Sequence, residues 1–267
     1  MRVTPGKLRR PLDAALTPRA DAALRAPPPL DVRAAALFTD LDGTLAPLEA
    51  RPGLVGPDPA RRRLLGALRR SLGGRLAVVS GRGLADLDRI LEGAAPAVAA
   101  VHGLVRRDGG GQVHQASTPP GLAEAADTLR AFALSDRGLA LEDKGPAVAL
   151  HYRRSPGARE ACQELMARLA VAHGLGLQQG DMVVELRAPG PDKGDAVRAF
   201  MTEAPFAGAT PVFLGDDLTD EDGFIAATAL GGYGVIVGAR RPTAARYGLA
   251  DVEAAADWLG RTLKDLA

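Results

Sequence analysis

The chain has 267 residues and a single cysteine, Cys162, so no disulfide can close within it. That scarcity suits a reducing cytoplasm, which is the expected location. The neighbours of Cys162 (EACQELMARLA) read as helix, and the thiol is expected to be a packed one. Aromatic residues make up only 4%, too few for base-stacking platforms or extended aromatic sugar grooves. Neither sign of charge is in excess: 33 basic and 32 acidic side chains leave a net charge of +1. This balance exerts no overall pull toward nucleic acid or an anionic membrane, and neither is expected as a partner. No apolar run reaches the roughly eighteen residues that a membrane span requires. The N-terminal stretch is rich in Ala, Arg and Pro and lacks the continuous apolar core of a secretory signal. Residues 1–30 are expected to form a flexible extension.

What is present is an alternation. The chain is 46% hydrophobic and 24% charged, ordinary for a globular protein. From Ala34 onward, short apolar runs alternate with amphipathic stretches. "AAALF" (34–38), "RLAVVSGR" (75–82), "AVAAVHG" (97–103), "PVFLGDD" (211–217) and "YGVIVG" (233–238) read as buried strands. "ARRRLLGALRRSL" (60–72) and "LADLDRILEG" between them place leucines on one helical face. Strand–helix alternation of this kind predicts an α/β fold with a parallel sheet covered on both faces. The runs end in Asp40, Ser80-Gly81, His102-Gly103 and Gly215-Asp216-Asp217. In open α/β sheets the crevice lies beyond the carboxyl ends of the strands, so these clusters are expected to meet.

The rhythm breaks after residue 105. "RRDGGGQVHQAS" (106–117) reads as a glycine-turned hairpin. It is followed by a helix (121–134), two strands around Lys144-Gly145-Pro146, a helix (157–173) and a second hairpin (175–187). That order describes a compact α+β unit. We expect residues 118–187 to form a cap inserted into a core made of residues 31–117 and 188–267.

"FTDLDGTLAPL" (38–48) places Asp40 and Asp42 one leucine apart, directly after an apolar strand. Like charges at that spacing repel and resist burial. A carboxylate aimed out of the sheet edge suits nucleophilic attack on phosphorus by Asp40. Asp42 then suits proton transfer to the leaving group and from water. Read without that chemistry, the loop is an Asx turn. "GDDLTDED" (215–222) supplies a second acidic cluster, and a hard cation such as Mg²⁺ would balance it. Asp216 is the expected ligand, with Asp217 and Asp220 behind it. Glu221 and Asp222 suit a solvated, acidic helix start. Ser80 offers a hydroxyl to a phosphate oxygen. Lys193, which opens a helix in "GPDKGDAV", brings a positive charge to the same place, though alone it reads as an exposed lysine. With a phosphomonoester bound, Mg²⁺ and Lys193 nearly balance the site if Asp42 begins as a neutral acid.

"DLDGT", "VVSGR", Lys193 and "GDDLTDED" resemble the four motifs of the haloacid-dehalogenase (HAD) superfamily of phosphatases, and the insertion resembles the α+β cap of one of its subgroups. More narrowly, "LEDKGPAVALHYR", "VVELRAPGPDKG" and "TPVFLGDDLTDEDGF" are similar to the trehalose-6-phosphate phosphatases, above all the bacterial ones. The resemblance spans about residues 36–260. It implies a Rossmann-like core, Mg²⁺-dependent hydrolysis of trehalose 6-phosphate through an aspartyl-phosphate, and a functional association with the synthase that makes this ester. It further implies Asp40 as nucleophile and metal ligand, and Asp42 as acid/base with its backbone carbonyl on the metal. Asp216 would be the third protein ligand, Ser80 and Lys193 would hold phosphate, and Glu142, Lys144, Arg153 and Glu185 would meet glucose hydroxyls. "AVHG" departs from the family in lacking the glutamate that many members place before the His-Gly pair, and no role is assigned to His102. Two alternatives stay open at this point: a phosphatase for another sugar phosphate, such as sucrose phosphate or mannosyl-phosphoglycerate, and a catalytically silent binding subunit.

Overall fold

The computed structural model describes residues 24–264 apart from 50–51, 181 and 239–240. In chain order the first strand is β1 (Ala35–Thr39), followed by helix α1 (Pro59–Ser71), β2 (Leu76–Val79), α2 (Leu84–Leu91) and β3 (Ala97–Ala100). A hairpin of β4 (Val105–Arg107) and β5 (Val113–Gln115) comes next, then α3 (Pro120–Ala133), β6 (Ala140–Asp143) and β7 (Ala147–His151). The remaining elements are α4 (Arg159–His173), β8 (Gly176–Gly180), β9 (Val183–Arg187), α5 (Lys193–Met201), β10 (Thr210–Gly215), α6 (Glu221–Ala229), β11 (Tyr233–Val237), β12 (Tyr247–Leu249) and α7 (Val252–Lys264). Among the described residues these strands form two sheets.

The larger sheet runs β12-β11-β10-β1-β2-β3-β4-β5. Its first six strands are parallel, and the β4–β5 hairpin is added antiparallel at one edge. The parallel strands carry unbroken apolar runs because both faces are covered. Alternate residues serve alternate faces. Leu37, Val78, Val98 and Leu214 pack with Leu65, Leu68, Leu87, Ile90, Trp258 and Leu259 of α1, α2 and α7. Phe38, Val79 and Phe213 pack with Phe200 and Phe224 of α5 and α6. The α/β architecture expected from the alternation is therefore present. β1 lies between β10 and β2, where the chain reverses its direction of travel across the sheet. Such a switch point opens a crevice at the carboxyl ends of the strands.

The smaller sheet is antiparallel, in the order β6-β7-β9-β8. Val148, Leu150, Val184 and Leu186 press against Leu122 and Leu129 of α3 and Cys162 and Met166 of α4. Cys162 is a buried free thiol, as its helical neighbours suggested. The register aligns Glu142, Ala149, Glu185 and Gln178 in one row across the four strands. That row lies on the face opposite the helices, because strand neighbours point to opposite sides.

Two expectations need correction. The extension expected over residues 1–30 lies outside the described residues as far as residue 23, but residues 24–30 are seated on the larger sheet and α7. The indole N–H of Trp258 donates to the Pro28 carbonyl at 2.8 Å, Gly248 N–H donates to the Arg25 carbonyl at 3.0 Å, and Leu30 is buried. Glu221 is not a solvated helix-start acid either. It is buried and accepts from Thr243 Oγ1 at 2.8 Å, from Ala244 N–H at 2.7 Å and from Arg241. Those partners lie some twenty residues downstream, so the local sequence carries no sign of them. Asp222 is half-buried.

Candidate active site

Asp40 is the first residue after β1, and the loop that follows turns at once. Gly43 makes the turn possible twice over: its φ is +80°, and a β-carbon there would lie 2.1 Å from Asp216 Oδ2. Thr44 Oγ1 donates to Asp216 Oδ1 at 2.9 Å, which joins the loops after β1 and β10. Asp216 and Asp217 offer their backbone N–H groups to Asp220 Oδ2 at 2.9 and 3.0 Å. Asp217 itself caps the next turn by accepting from Thr219 N–H at 2.7 Å.

Lys193 is only 2% exposed. Asp192 caps α5 in a reciprocal capping box with Asp195, which fixes Lys193 in the first turn. Its ammonium group lies 2.7 Å from Asp220 Oδ1 and 3.4 Å from Asp40 Oδ2. Burial works against this charge, but Asp220 and Asp40 outweigh burial and hold the proton more tightly than in an ordinary lysine. The exposed helix-start lysine of the bland reading is thus a buried counter-ion.

The carboxylates are under-compensated. Burial pushes Asp40 well above the usual range despite Lys193, and Asp220, Asp217 and Asp216 push the same way. Burial and Asp220 raise Asp216 to about 7. One oxygen each from Asp40, Asp216 and Asp220 lies within 4.8 Å of the others. Three carboxylates therefore share one ammonium group, and Asp40 Oδ1 is buried with no partner. A hard divalent cation fits this oxygen set and this charge deficit. Asp220 already spends both oxygens on Lys193 and the loop amides, so Asp40 and Asp216 are the carboxylates with donor atoms to give.

A testable consequence follows for metal-free protein. Raised carboxyl groups bind protons in the folded state at pH values where the unfolded chain has lost them, so stability falls as pH rises from about 4 through 7. Mg²⁺ competes with those protons. At a hundredfold excess over Kd it should add about 2.7 kcal/mol, or roughly 5–10 °C in Tm. The rise should be larger at pH 8 than at pH 6 and absent in Asp216→Asn. Thermal unfolding with and without Mg²⁺ measures this, and an undiminished rise in the variant would remove Asp216 from the site.

Asp42 lies two residues beyond Asp40, beside the loop after β2. Its carboxylate is held by Arg82 in a two-pronged ion pair, Nε to Oδ2 at 2.6 Å and Nη2 to Oδ1 at 2.7 Å. Arg82 also pairs with Asp86. Ser80 is buried at the end of β2, and its hydroxyl oxygen accepts from Arg82 N–H at 3.3 Å.

Facing these loops is the row on the smaller sheet. Lys144 Nζ lies 2.6 Å from Glu185 Oε2 and donates to the Gly81 carbonyl at 3.0 Å. Glu142 Oε2 accepts from the ring N–H at His151 Nε2 at 2.8 Å, and the net effect of its surroundings holds its carboxyl below the usual range: burial opposes this, His151 and Lys144 outweigh it. Arg153 Nη1 donates to the Glu49 carbonyl at 3.1 Å. Core loops and smaller sheet together enclose a cavity of about 770 Å³. All nine residues singled out from the sequence line or adjoin it: Asp40, Asp42, Ser80, Glu142, Lys144, Arg153, Glu185, Lys193 and Asp216. Among the described residues, the buried side-chain N and O atoms without a partner are Asp40 Oδ1, His102 Nδ1 and Glu185 Oε1, and all three residues line this cavity. Arg82, His102, His151 and Gln178 line it too and were not assigned from sequence. For Arg82 a signal existed, since it directly follows the Ser80-Gly81 turn. For Gln178 none did, because its place in the row depends on strand register.

The profile of the trehalose-phosphatase family matches residues 38–253. The trehalose-6-phosphate phosphatase of Escherichia coli (strain K12) is 42% identical over 227 residues, covering 84% of this chain and 85% of that protein. A probable trehalose-phosphate phosphatase of Sinorhizobium fredii is 40% identical over 215 residues, covering 80% and 81%. The solved C-terminal domain of the Candida albicans trehalose-6-phosphate phosphatase superposes with a TM-score of 0.74 at 23% identity, over 88% of this chain and 94% of that one, a likeness of fold. With its HAD-type core and inserted α+β unit, this chain belongs to the trehalose-phosphatase family.

Proposed function

We propose that the chain hydrolyses trehalose 6-phosphate to trehalose and phosphate, with Asp40 as nucleophile. The observation that carries the reading is the convergence of unpartnered buried polar atoms on one cavity, with acids and an ammonium at its floor and hydroxyl-binding groups at its roof. Asp40 attacks phosphorus, an aspartyl-phosphate forms, and the bond from phosphorus to the sugar oxygen breaks. Asp42 gives a proton to that oxygen. Asp42 then takes a proton from water, whose oxygen attacks phosphorus and releases Asp40 and phosphate. Because Arg82 grips Asp42 in this structure, the acid step requires that carboxylate to leave the guanidinium and to take up a proton from solvent before it gives one to the sugar oxygen. Ser80 and Lys193 hold the phosphate oxygens. Asp40, Asp216 and the backbone carbonyl of Asp42 would hold Mg²⁺, which would supply charge neutralisation at the phosphoryl group.

Residues 118–187 act in this reading as a cap that excludes water and reads the sugar. Glu142, Lys144, Arg153 and Glu185 offer charged hydrogen-bonding groups to glucose hydroxyls, which strengthens each bond. Ala149 sits between Glu142 and Glu185 in the row. A functional association with the synthase that supplies the ester belongs to the same reading. Glu185→Ala is expected to lower kcat/KM for trehalose 6-phosphate by about 10²-fold and for p-nitrophenyl phosphate by only a few-fold. Equal losses would take the cap out of the specificity argument. A panel including sucrose phosphate and mannosyl-phosphoglycerate, read by phosphate release, tests the substrate itself.

A further inference from the structure

We propose that His102 and Gln178 form a closure contact that couples the position of the smaller sheet to the loop carrying Ser80, making both of them positioning residues. The proposal rests on the substrate reading above and extends it to residues that the reading does not use.

The first observation is backbone strain. Val101 and His102 have φ of +49° and +54°. Left-handed backbone is costly for non-glycine residues and rarest for β-branched ones. Such outliers persist where the surrounding structure over-determines them. Here the turn aims two N–H groups at the loop after β2. Val101 N–H donates to the Arg82 carbonyl and His102 N–H to the Ser80 carbonyl, both at 2.9 Å. The loops after β2 and β3 are thereby zipped together around Ser80.

The second is side-chain fit. The His102 ring lies flush on Gly81, where a β-carbon would come within 2.5 Å of Cε1 and Nε2. His102 therefore cannot shift without disturbing the Ser80–Arg82 loop. Burial, with Lys193, Lys144 and Arg187 adding to it, pushes the imidazole well below its usual pKa, so the ring is neutral and one nitrogen is free to accept.

The third is what meets it from the other side. The side-chain amide nitrogen of Gln178 lies 2.8 Å from His102 Nε2. Gln178 is paired in register with Glu185, which contacts Lys144, which donates to the Gly81 carbonyl. Starting at His102, the contacts pass through Gln178, Glu185 and Lys144 to Gly81 and back to the imidazole. This circuit crosses between the two sheets twice. A sheet that rocked away from the core would have to break both crossings.

The test is a double-mutant cycle in the full-length enzyme with Gln178→Ala, His102→Asn and the double variant. Asparagine is chosen because it tolerates left-handed backbone. Gln178→Ala should lower kcat/KM for trehalose 6-phosphate about tenfold, His102→Asn at least as much because its ring also packs on Gly81, and the double variant should lose no more than His102→Asn alone, because both remove one contact. Gln178→Ala should change p-nitrophenyl phosphate turnover by less than about twofold, since that ester gives the closed sheet nothing to read. Multiplicative losses near a hundredfold, or equal slowing of both esters by Gln178→Ala, would overturn the proposal. Should His102→Asn fail to fold, the substrate split of Gln178→Ala decides alone. If wild-type enzyme ignores trehalose 6-phosphate but cleaves another sugar phosphate, the substrate reading fails, and the same cycle run on that ester judges the closure contact separately.

Discussion

Asp40→Asn is expected to abolish phosphate release from trehalose 6-phosphate and p-nitrophenyl phosphate alike, by on the order of 10⁴-fold or more. The amide is nearly isosteric but has no anionic oxygen to form the bond to phosphorus. The loss is shared by both esters because the attacking atom acts before any sugar is read. Folding should not suffer. In metal-free protein Asp40 is a buried carboxyl, pushed upward by its surroundings and with one oxygen unpartnered, so removing its charge relieves crowding. Urea unfolding without Mg²⁺ should show equal or greater stability for the variant. Residual turnover within tenfold of wild type would mean that another group attacks phosphorus.

Lys193→Met should be the most damaging change to stability. Its ammonium group is the counter-ion of Asp220 and Asp40 in a place that is 2% exposed. Deleting one partner of a buried ion pair while keeping the other costs about 3–5 kcal/mol. Here two carboxylates lose the same partner, and Asp220 also holds the amides of Asp216 and Asp217 in place. The cost applies in full between about pH 7 and pH 10: the folded protein binds the lysine proton more tightly than the unfolded chain, and below that window Asp220, raised to about 6, takes up a proton and weakens the pair. Chemical denaturation at pH 7 measures it, and a loss under about 1 kcal/mol would show that the charge is not needed for the fold. Activity should fall at least 10²-fold with either ester, because a preorganised charge beside the phosphoryl group is removed.

The acidic floor of the cavity was legible because its residues end apolar strands. An acid two residues beyond "AAALF" or "PVFL" stands at the carboxyl end of its strand, where parallel strands open the crevice. Gly43 was readable as a turn former, though not as the point where the loops of Asp40 and Asp216 touch. Lys193 was not readable alone: a lysine at a helix start is usually solvated, and only its pairing with Asp220, 27 residues on, buries it. Glu221 misled for the converse reason, as its partners Arg241, Thr243 and Ala244 arrive from a distant loop. Arg82 carried a signal in directly following the Ser80-Gly81 turn, but its pairing with Asp42 is one that only the fold creates. On the smaller sheet, Glu142 and Glu185 were reached by family resemblance, while Gln178 became visible only when the register placed it opposite Glu185. Local chemistry was legible; long-range pairing was not.

The seat of β1 between β10 and β2 bears on how the molecule ages and breathes. Its amides bridge to strands on both sides deep in the sheet. Protons so placed exchange with solvent only when the whole domain opens, whereas those of a rim hairpin or a separately packed sheet leave in smaller excursions. The carboxylate proposed to attack phosphorus is thus expected on the slowest clock in the protein, and the groups proposed to recognise sugar on a faster one. Deuterium uptake should keep that order, with selectivity eroding under mild denaturant before reactivity does.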